Sequence, residues 1–271
     1  MSDDVRNVFE RKLAGVRVIL TRPKQQCDAL IDMLGQRGAE ARCLPVIEIE
    51  PPPDAAPATD ALENLGRFDL VVFTSANAVG GALLLKPDLA DIAALPEVAT
   101  VGPATRRALE RAGISVAIIP GEEFSSEGLL RHPRLQKSVV QGKRVLIVKG
   151  VGGRGLLADG LRAAGAKVSS VDVYRRSRPE GRIPELLGEP LTGFDLIVLT
   201  SGTAIEHLLD IASDEERRRI LDMPMLVSSR RIARILRGRG ARRPPLVAEG
   251  PEDEVMVRAI ERWRRSPAEK S

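Results

Sequence analysis

Residues 68–79 read FDLVVFTSANAV, and residues 194–205 read FDLIVLTSGTAI. The two segments are identical at seven of twelve positions and lie 126 residues apart. Each begins with a β-branched and aromatic run typical of a buried strand, continues with Thr-Ser and then shows a helical pattern. We therefore predict that Thr74-Ser75 and Thr200-Ser201 each lie where a strand becomes a helix. Ligands of open α/β sheets bind at that edge.

The similarity extends beyond these segments. Residues 15–20 match residues 142–147 at an offset of 127, and Gly38-Ala39 matches Gly165-Ala166 at the same offset. Both halves alternate strands with helices, the pattern of a mostly parallel sheet covered on both faces. With 271 residues the chain is long enough for two cores. The sequence predicts an α/β protein with two similar, doubly wound parallel-sheet domains.

The individual elements follow from the same patterns and from Gly and Pro stops. We predict strands or extended segments at residues 16–20, 41–50, 99–101, 116–119, 144–148 and 170–176. We predict helices at residues 25–36, 60–65, 104–112 and 155–164 and near Ser126.

Composition and charge narrow the setting. Residues 1–11 are polar and of mixed charge, without an apolar run that would form a signal peptide or membrane span, so we expect a soluble cytoplasmic protein. The two cysteines, Cys27 and Cys43, accompany no histidine cluster. We expect neither a disulfide nor a zinc site, and we place both thiols, reduced, in the core.

A dense basic stretch covers residues 230–243, although the whole chain carries a net charge of only +4. Such a stretch could bind nucleic acid, but aromatic residues that would stack on bases make up only 3% of the chain. We therefore interpret it as a solvated helix face and expect no nucleic-acid or membrane partner.

Several short motifs in a fixed order resemble the uroporphyrinogen-III synthase family. The resemblance covers about residues 15–263 and rests on the order and spacing of the motifs, each of which is only moderately specific alone. Besides the two Thr-Ser segments, the motifs lie at residues 20–23 (LTRP), 44–48 (LPVIE), 101–105 (VGPAT), 171–174 (VDVY) and 248–251 (AEGP).

A plain duplication predicts two domains that divide near residue 140, whereas the resemblance implies an interleaved arrangement. On this chain, domain one would comprise residues 1–44 and 179–271, and domain two residues 51–168. Residues 45–50 and 169–178 would pair as a two-stranded linker ladder. The cleft between the two domains would be the ligand site.

The resemblance implies that the chain cyclises hydroxymethylbilane, with loss of water and inversion of ring D through a spiro intermediate, to give uroporphyrinogen III. It implies an enzyme without cofactor or metal, and it allows for transient contact with hydroxymethylbilane synthase. For the oligomeric state, a monomer is the default expectation. This reaction suits the sequence, because neither His132 nor His207 lies in a catalytic motif. The substrate's pyrrole nitrogens can supply the electrons.

Tyr174 is the single tyrosine of the chain and matches the tyrosine of the family's Val-Tyr segment. We predict that its phenol assists the loss of water by donating to the departing hydroxyl. The alternative is an amphipathic side chain that packs in the linker ladder.

Other predicted site residues lie at strand ends and helix starts, where free N–H groups favour the substrate's carboxylates. Thr105 is a second catalytic candidate, although it and the serines could equally be helix-cap residues. The family often has Gly-Pro-Thr-Thr where residues 227–231 read VSSRR, so only Ser228 is carried over there. The predicted substrate-binding residues are Arg22, Thr74, Ser75, Ala76, Gly102, Gly152, Arg154, Ser201, Gly202 and Ser228.

Two other functions stay open at this point. Residues 150–155 satisfy G-x-G-x-x-G between a predicted strand and helix, with Asp172 about 22 residues on, which is typical of a dinucleotide-binding oxidoreductase. Against this, the matching loop of the first half has no glycines. The third function is a non-catalytic, two-lobed binding protein.

Overall fold

A computed structural model describes residues 12–91, 96–153 and 155–265. The chain forms two compact units. The first unit comprises the residues up to Glu48 together with those from Ser177 onward, and the second unit comprises Ile49–Arg176. Each unit contains a five-stranded sheet.

The first sheet has the strand order β10-β9-β8-β1-β2, and its strand pairs are all parallel. Its strands are β1 (Arg17–Leu20), β2 (Glu40–Cys43), β8 (Leu196–Leu199), β9 (Met225–Val227) and β10 (Leu246–Val247). The helices of this unit are α1 (Asp28–Gly35), α8 (Ile183–Leu187), α9 (Gly202–Ile211), α10 (Asp214–Asp222), α11 (Arg230–Gly238) and α12 (Asp253–Arg265).

The second sheet has the strand order β3-β7-β6-β4-β5, in which β4 pairs in parallel with β5 and β6, and β6 pairs in parallel with β7. Its strands are β3 (Glu48–Glu50), β4 (Leu70–Phe73), β5 (Glu97–Thr100), β6 (Arg144–Gly150) and β7 (Lys167–Ser177). Its helices are α2 (Ala56–Glu63), α3 (Ala76–Leu85), α4 (Pro103–Arg111), α5 (Ser126–Leu130), α6 (Lys137–Val140) and α7 (Leu156–Ala163). Short 3₁₀ turns lie at Lys24–Gln26, Leu65–Arg67, Leu89–Asp91 and Pro133–Leu135.

The second sheet is covered on both faces. Successive residues of β4 point to opposite faces, as in any strand. Val71 and Phe73 share a core with residues of α2, α3 and α4, whereas Leu70 and Val72 share one with residues of α5, α6 and α7. All four side chains are buried, which explains why β4 is a continuous apolar run and not an alternating one. The prediction of doubly wound parallel sheets is confirmed.

The aspartate of each repeated Phe-Asp-Leu segment connects neighbouring strands. The Asp69 carboxylate accepts a hydrogen bond from the backbone N–H of Arg144 at 2.7 Å, and Asp195 accepts one from Arg17 at 2.8 Å. Arg144 is the first residue of β6, which pairs with β4, and Arg17 is the first residue of β1, which pairs with β8. The hydrogen bond from the Arg144 backbone is the main reason why the pKa of Asp69 lies below its ordinary value. The repeated sequence thus produces the same strand junction twice.

Both Thr-Ser pairs lie at strand-to-helix junctions, as predicted. Ser75 and Ser201 are the N-cap residues of α3 and α9, and each side chain accepts a hydrogen bond at 3.1 Å from the N–H three residues on. This local bond satisfies one of the free N–H groups of the first turn. A serine therefore begins the helix that follows the repeated strand in both halves.

Two expectations from the sequence are wrong. Residues 116–119 do not form a strand, since only Ile118 makes an isolated bridge, to Ala99 of β5. Cys27 and Cys43 are not reduced thiols but form a disulfide, with their Cα atoms 6.1 Å apart. The parallel pairing of β1 with β2 explains this bond, because it brings the end of β2 beside the turn that follows β1.

The basic stretch forms mainly helix α11, which has one apolar face. Ile232, Ala233 and Leu236 are buried, whereas the arginines of this helix are exposed, so the prediction of a solvated face is confirmed. Beyond the helix, Arg242 forms an ion pair with Asp222. Among the described residues, no helix is long and apolar enough to cross a membrane.

Candidate active site

The phenol of Tyr174, a residue of β7, lies beside the end of β6 in the second unit. The residue is only 5% exposed, and its oxygen lies 3.2 Å from Ser75 Oγ and 3.2 Å from Nη2 of Arg176. The Arg176 guanidinium lies over the phenol ring, with its central carbon 5.5 Å from the ring centroid. A single tyrosine hydroxyl is thus held between a helix-cap serine and an arginine.

A register shift in β7 determines which way this tyrosine points. Lys149 of β6 pairs with Asp172, but the next residue, Gly150, pairs with Tyr174, so Val173 is skipped. Such bulges occur next to active sites, where they redirect a side chain. Here the shift places Tyr174 in the same buried cluster as Val171 and Val173.

Two glycines make room for this arrangement. A Cβ atom at Gly150 would lie 2.5–2.8 Å from three atoms of the Tyr174 ring. At Gly81 of α3, a Cβ atom would lie 2.4 Å from the carbonyl oxygen of Val173. Gly150 therefore lets the tyrosine ring lie on the backbone of β6, and Gly81 lets α3, with Ser75 at its start, approach β7 closely.

Helix α4 presents a second set of polar groups at the carboxyl edge of the same sheet. Gly102 is its N-cap and makes no side-chain capping bond, and Thr105, in the first turn, is 5% exposed. Helices α3 and α4 pack against each other. The Thr74 hydroxyl, in contrast, donates to the carbonyl of Val148 at 3.3 Å and is occupied within the sheet. Ala76, another predicted contact, is the first residue of α3.

The first turns of α3, α4, α9 and α11 contain no acidic residue. Helices α10 and α12 differ, because they carry three and two acidic residues there. Acidic residues near a helix start compensate the partial positive charge of its free N–H groups. Their absence from α3, α4, α9 and α11 leaves each of these starts with uncompensated positive potential, which suits an anionic group.

In the first unit, the predicted residues Ser201, Gly202 and Ser228 lie at the ends of β8 and β9. Ser201 caps α9 and Gly202 is the first residue of that helix. The Ser228 hydroxyl donates to the carbonyl of Thr200 at 3.2 Å, and Ser229, which sequence reasoning did not select, is the N-cap of α11. Ser228 therefore connects two strand ends.

Arg22, a predicted carboxylate partner, is 8% exposed and directs its guanidinium into the first unit. Nη1 donates to Oδ1 of Asp253 at 2.5 Å, and Nη2 donates to the carbonyl of Pro251 at 2.6 Å. Asp253 is also the first residue of α12. The observed contacts give Arg22 a structural role, in which it holds the start of α12 at the end of β1.

The Asp253→Asn variant tests this structural role. We expect it to lower the free energy of unfolding by about 1–2 kcal/mol, because it leaves the mostly buried Arg22 guanidinium without its anionic partner. Urea denaturation measures the change, and Asp222→Asn, which alters the more exposed pair with Arg242, serves as the control. Equal stability of the two variants would contradict the structural role of Arg22.

The glycine-rich loop at the end of β6 lacks the unpaired acidic residue that the dinucleotide-binding pattern calls for. Asp172, which the dinucleotide pattern directs to a ribose hydroxyl, forms an ion pair with Lys149 at 2.6 Å. Nζ of Lys149 also lies 3.4 Å from the carbonyl oxygens of Gly150 and Gly152. Gly152 has a φ of +75°, and Arg154 lies outside the described residues.

Among the described residues, no group of three or more His, Cys, Asp or Glu side chains is placed to hold a metal ion. At the carboxyl edge of its sheet, the second unit carries the buried phenol of Tyr174, the hydroxyls of Ser75 and Thr105, and the starts of α3 and α4. Such a set can donate hydrogen bonds to a departing oxygen and bind anionic groups.

Comparisons with known proteins agree on one family. The family model described as uroporphyrinogen-III synthase HemD matches residues 28–258. The uroporphyrinogen-III synthase of Escherichia coli (strain K12) is 30% identical over 247 residues, which cover 90% of this chain and 99% of the relative. The protein of the same name from Synechococcus elongatus is 28% identical over 74% of this chain and 76% of its own length.

Solved structures show the same fold. The uroporphyrinogen-III synthetase of Helicobacter pylori aligns with a TM-score of 0.59 at 17% identity, over 92% of this chain and 99% of its own. A mutant uroporphyrinogen III synthase of Thermus thermophilus aligns with a TM-score of 0.54 at 21% identity, over 91% of this chain and 99% of its own.

Proposed function

The chain belongs to the uroporphyrinogen-III synthase family, and on that premise we propose that it is a lyase that converts hydroxymethylbilane into uroporphyrinogen III. The observation that carries the residue-level proposal is the buried Tyr174 phenol, held by Ser75 and Arg176 at the carboxyl edge of a parallel sheet. This edge is where α/β sheets bind their ligands.

The reaction begins with loss of the terminal hydroxyl of the linear tetrapyrrole. The adjacent pyrrole nitrogen donates its electron pair as the C–O bond breaks, and Tyr174 supplies the proton with which the hydroxyl leaves as water. The resulting azafulvene is electrophilic. The substituted carbon of ring D attacks it, and the spiro intermediate fragments and recloses through the other free carbon of that ring, which is now inverted. The proton lost from that carbon on closure restores the Tyr174 phenol.

The substrate carries eight carboxylates, which the chain binds with backbone N–H groups and hydroxyls. The starts of α3 and α4 support this role, since their first turns contain no acidic residue. Ser75 caps α3, and Thr105 lies in the first turn of α4, so that both hydroxyls are placed beside these N–H groups for substrate contact. Ser201 offers the same combination at α9, where Gly202 is the first helical residue, and both stay predicted contacts.

A coupled assay tests the proposed function. Purified protein is mixed with freshly generated hydroxymethylbilane, and the oxidised products are separated into type I and type III isomers. We expect the type III fraction to rise with protein concentration, because a catalyst that inverts ring D competes with simple closure to type I. Assays without protein and with heat-denatured protein set the background.

A type I product alone, from protein that folds normally, would contradict the proposed function. Residues 150–155 carry the pattern of a dinucleotide-binding loop, and this alternative function is tested separately. Calorimetric titration with NADH or NADPH is expected to show no binding in the micromolar range, because Lys149 already pairs with Asp172.

A further inference from the structure

Arg176 follows Tyr174 by two residues on β7, and its guanidinium makes two contacts with that tyrosine. Nη2 donates to the phenol oxygen at 3.2 Å, and the guanidinium carbon lies 5.5 Å from the ring centroid. The planar guanidinium is suited to contact an aromatic ring and donate a hydrogen bond at the same time. Arg176 as a whole is exposed, whereas Tyr174 is buried.

The neighbouring Arg175 has a different partner. Its Nη2 forms an ion pair with Glu50 of β3 at 2.8 Å. Successive residues of a strand point to opposite sides, so Arg175 and Arg176 diverge although they are adjacent in sequence. Arg176 therefore contacts the phenol, whereas Arg175, of equal charge, contacts the edge strand β3.

The hydrogen bonds around the phenol restrict where its proton can point. A phenol oxygen can accept two hydrogen bonds and donate one. Arg176 has no acceptor and can only donate. Ser75 Oγ accepts from the N–H of Ala78 at 3.1 Å and lies 3.2 Å from the phenol oxygen, and in that contact either hydroxyl can be the donor. The Tyr174 proton therefore cannot point toward Arg176 and is directed to Ser75 or to a ligand.

We propose that Arg176 is a positioning residue that occupies one acceptor position of the Tyr174 oxygen, so that the phenol proton is turned away from the guanidinium and can reach the departing hydroxyl, and that it stabilises the phenolate formed when that proton leaves. The inference rests on the proposed role of Tyr174. In the step concerned, the pyrrole nitrogen supplies the electron pair, the C–O bond breaks, and the Tyr174 proton completes the water. The negative charge then lies on the phenol oxygen, where the Arg176 donor strengthens its hydrogen bond.

The first test compares Arg176→Met with Arg175→Met in the coupled assay. We expect Arg176→Met to lower kcat by about 10- to 100-fold, because the charge-assisted bond to the phenolate is lost. KM should change little, since the effect lies in the transition state. The control Arg175→Met should retain the wild-type kcat, and Arg176→Lys should recover part of the loss because it keeps a cationic donor.

A double-mutant cycle with Tyr174→Phe separates this inference from the proposed function. If Arg176 acts through the phenol, Arg176→Met should have little further effect once the Tyr174→Phe substitution is in place. An equal loss of kcat with and without Tyr174→Phe would overturn the inference and leave the role of Tyr174 intact. A raised KM with unchanged kcat would also overturn it, because Arg176 would then be a carboxylate-binding residue.

Two further results would remove the basis of the role proposed for Arg176. A Tyr174→Phe variant with full kcat would contradict the role of Tyr174 and, with it, the role of Arg176. Wild-type protein that gives only type I product would contradict the proposed function before either variant is made. Circular dichroism and thermal melting of each variant exclude unfolding as the cause of a lost rate.

Discussion

Replacing Tyr174 with phenylalanine is expected to reduce kcat for type III product by about 100- to 1,000-fold, the usual contribution of a positioned general acid. The phenylalanine ring fills the same space on Gly150, so the fold is retained. What disappears is the hydroxyl that lies 3.2 Å from both Ser75 Oγ and Arg176 Nη2. The substrate affinity should change little, because the lost group acts on the leaving hydroxyl.

Steady-state kinetics with isomer analysis measures this effect, and urea denaturation serves as the control for folding. We expect the free energy of unfolding to fall by no more than about 1 kcal/mol, the usual net value of one hydrogen bond. Full kcat from a folded variant would show that the tyrosine is only a packing residue of β7. A shift from type III to type I product at unchanged total rate would indicate control of ring inversion instead of water loss.

Replacing Gly81 with alanine is expected to lower the free energy of unfolding by about 1–3 kcal/mol, since overpacking of this kind displaces backbone. The added Cβ would lie 2.4 Å from the carbonyl oxygen of Val173 and 2.9 Å from its carbonyl carbon. Neither atom belongs to a flexible side chain, so helix α3 must move away from β7. Ser75 begins that helix, and we therefore also expect at least a tenfold loss of kcat.

The adjacent Gly80 provides a matched control. A Cβ there would meet no atom within 4 Å. Both glycines lie within α3, where alanine is ordinarily favoured over glycine by about 1 kcal/mol. Gly80→Ala should thus be neutral or stabilising, and Gly81→Ala strongly destabilising. Variants with the same stability would refute the close approach of α3 to β7.

Some features of the candidate site could be predicted because they depend on nearby residues. Ser75 and Ser201 each bond an N–H only three residues on, so a serine between a buried strand and a helix is enough to predict the cap. Tyr174 was predicted from the family resemblance. Arg176 was not predicted, because only the contacts of the folded β7 distinguish it from Arg175.

The wrong expectation about the cysteines has a related cause. Cys27 and Cys43 are 16 residues apart, and nothing in that spacing requires a bond. Their approach depends on the parallel register of β1 with β2, in which Leu20 pairs with Cys43. The partner of Arg22 could not be predicted either, since Asp253 lies 231 residues away in the chain.

The amino-acid order alone was enough to predict the duplicated α/β pattern, the succession of most strands and helices, the helix caps and the family. These depend on apolar periodicity and on hydrogen bonds within a few residues, which the local sequence specifies. Three-dimensional packing was needed to reveal the shifted pairing of Gly150 with Tyr174, the close approach of α3 to β7 at Gly81 and the separate partners of the two arginines. These features arise where distant strands and helices pack, and there one residue of register changes which side chains meet.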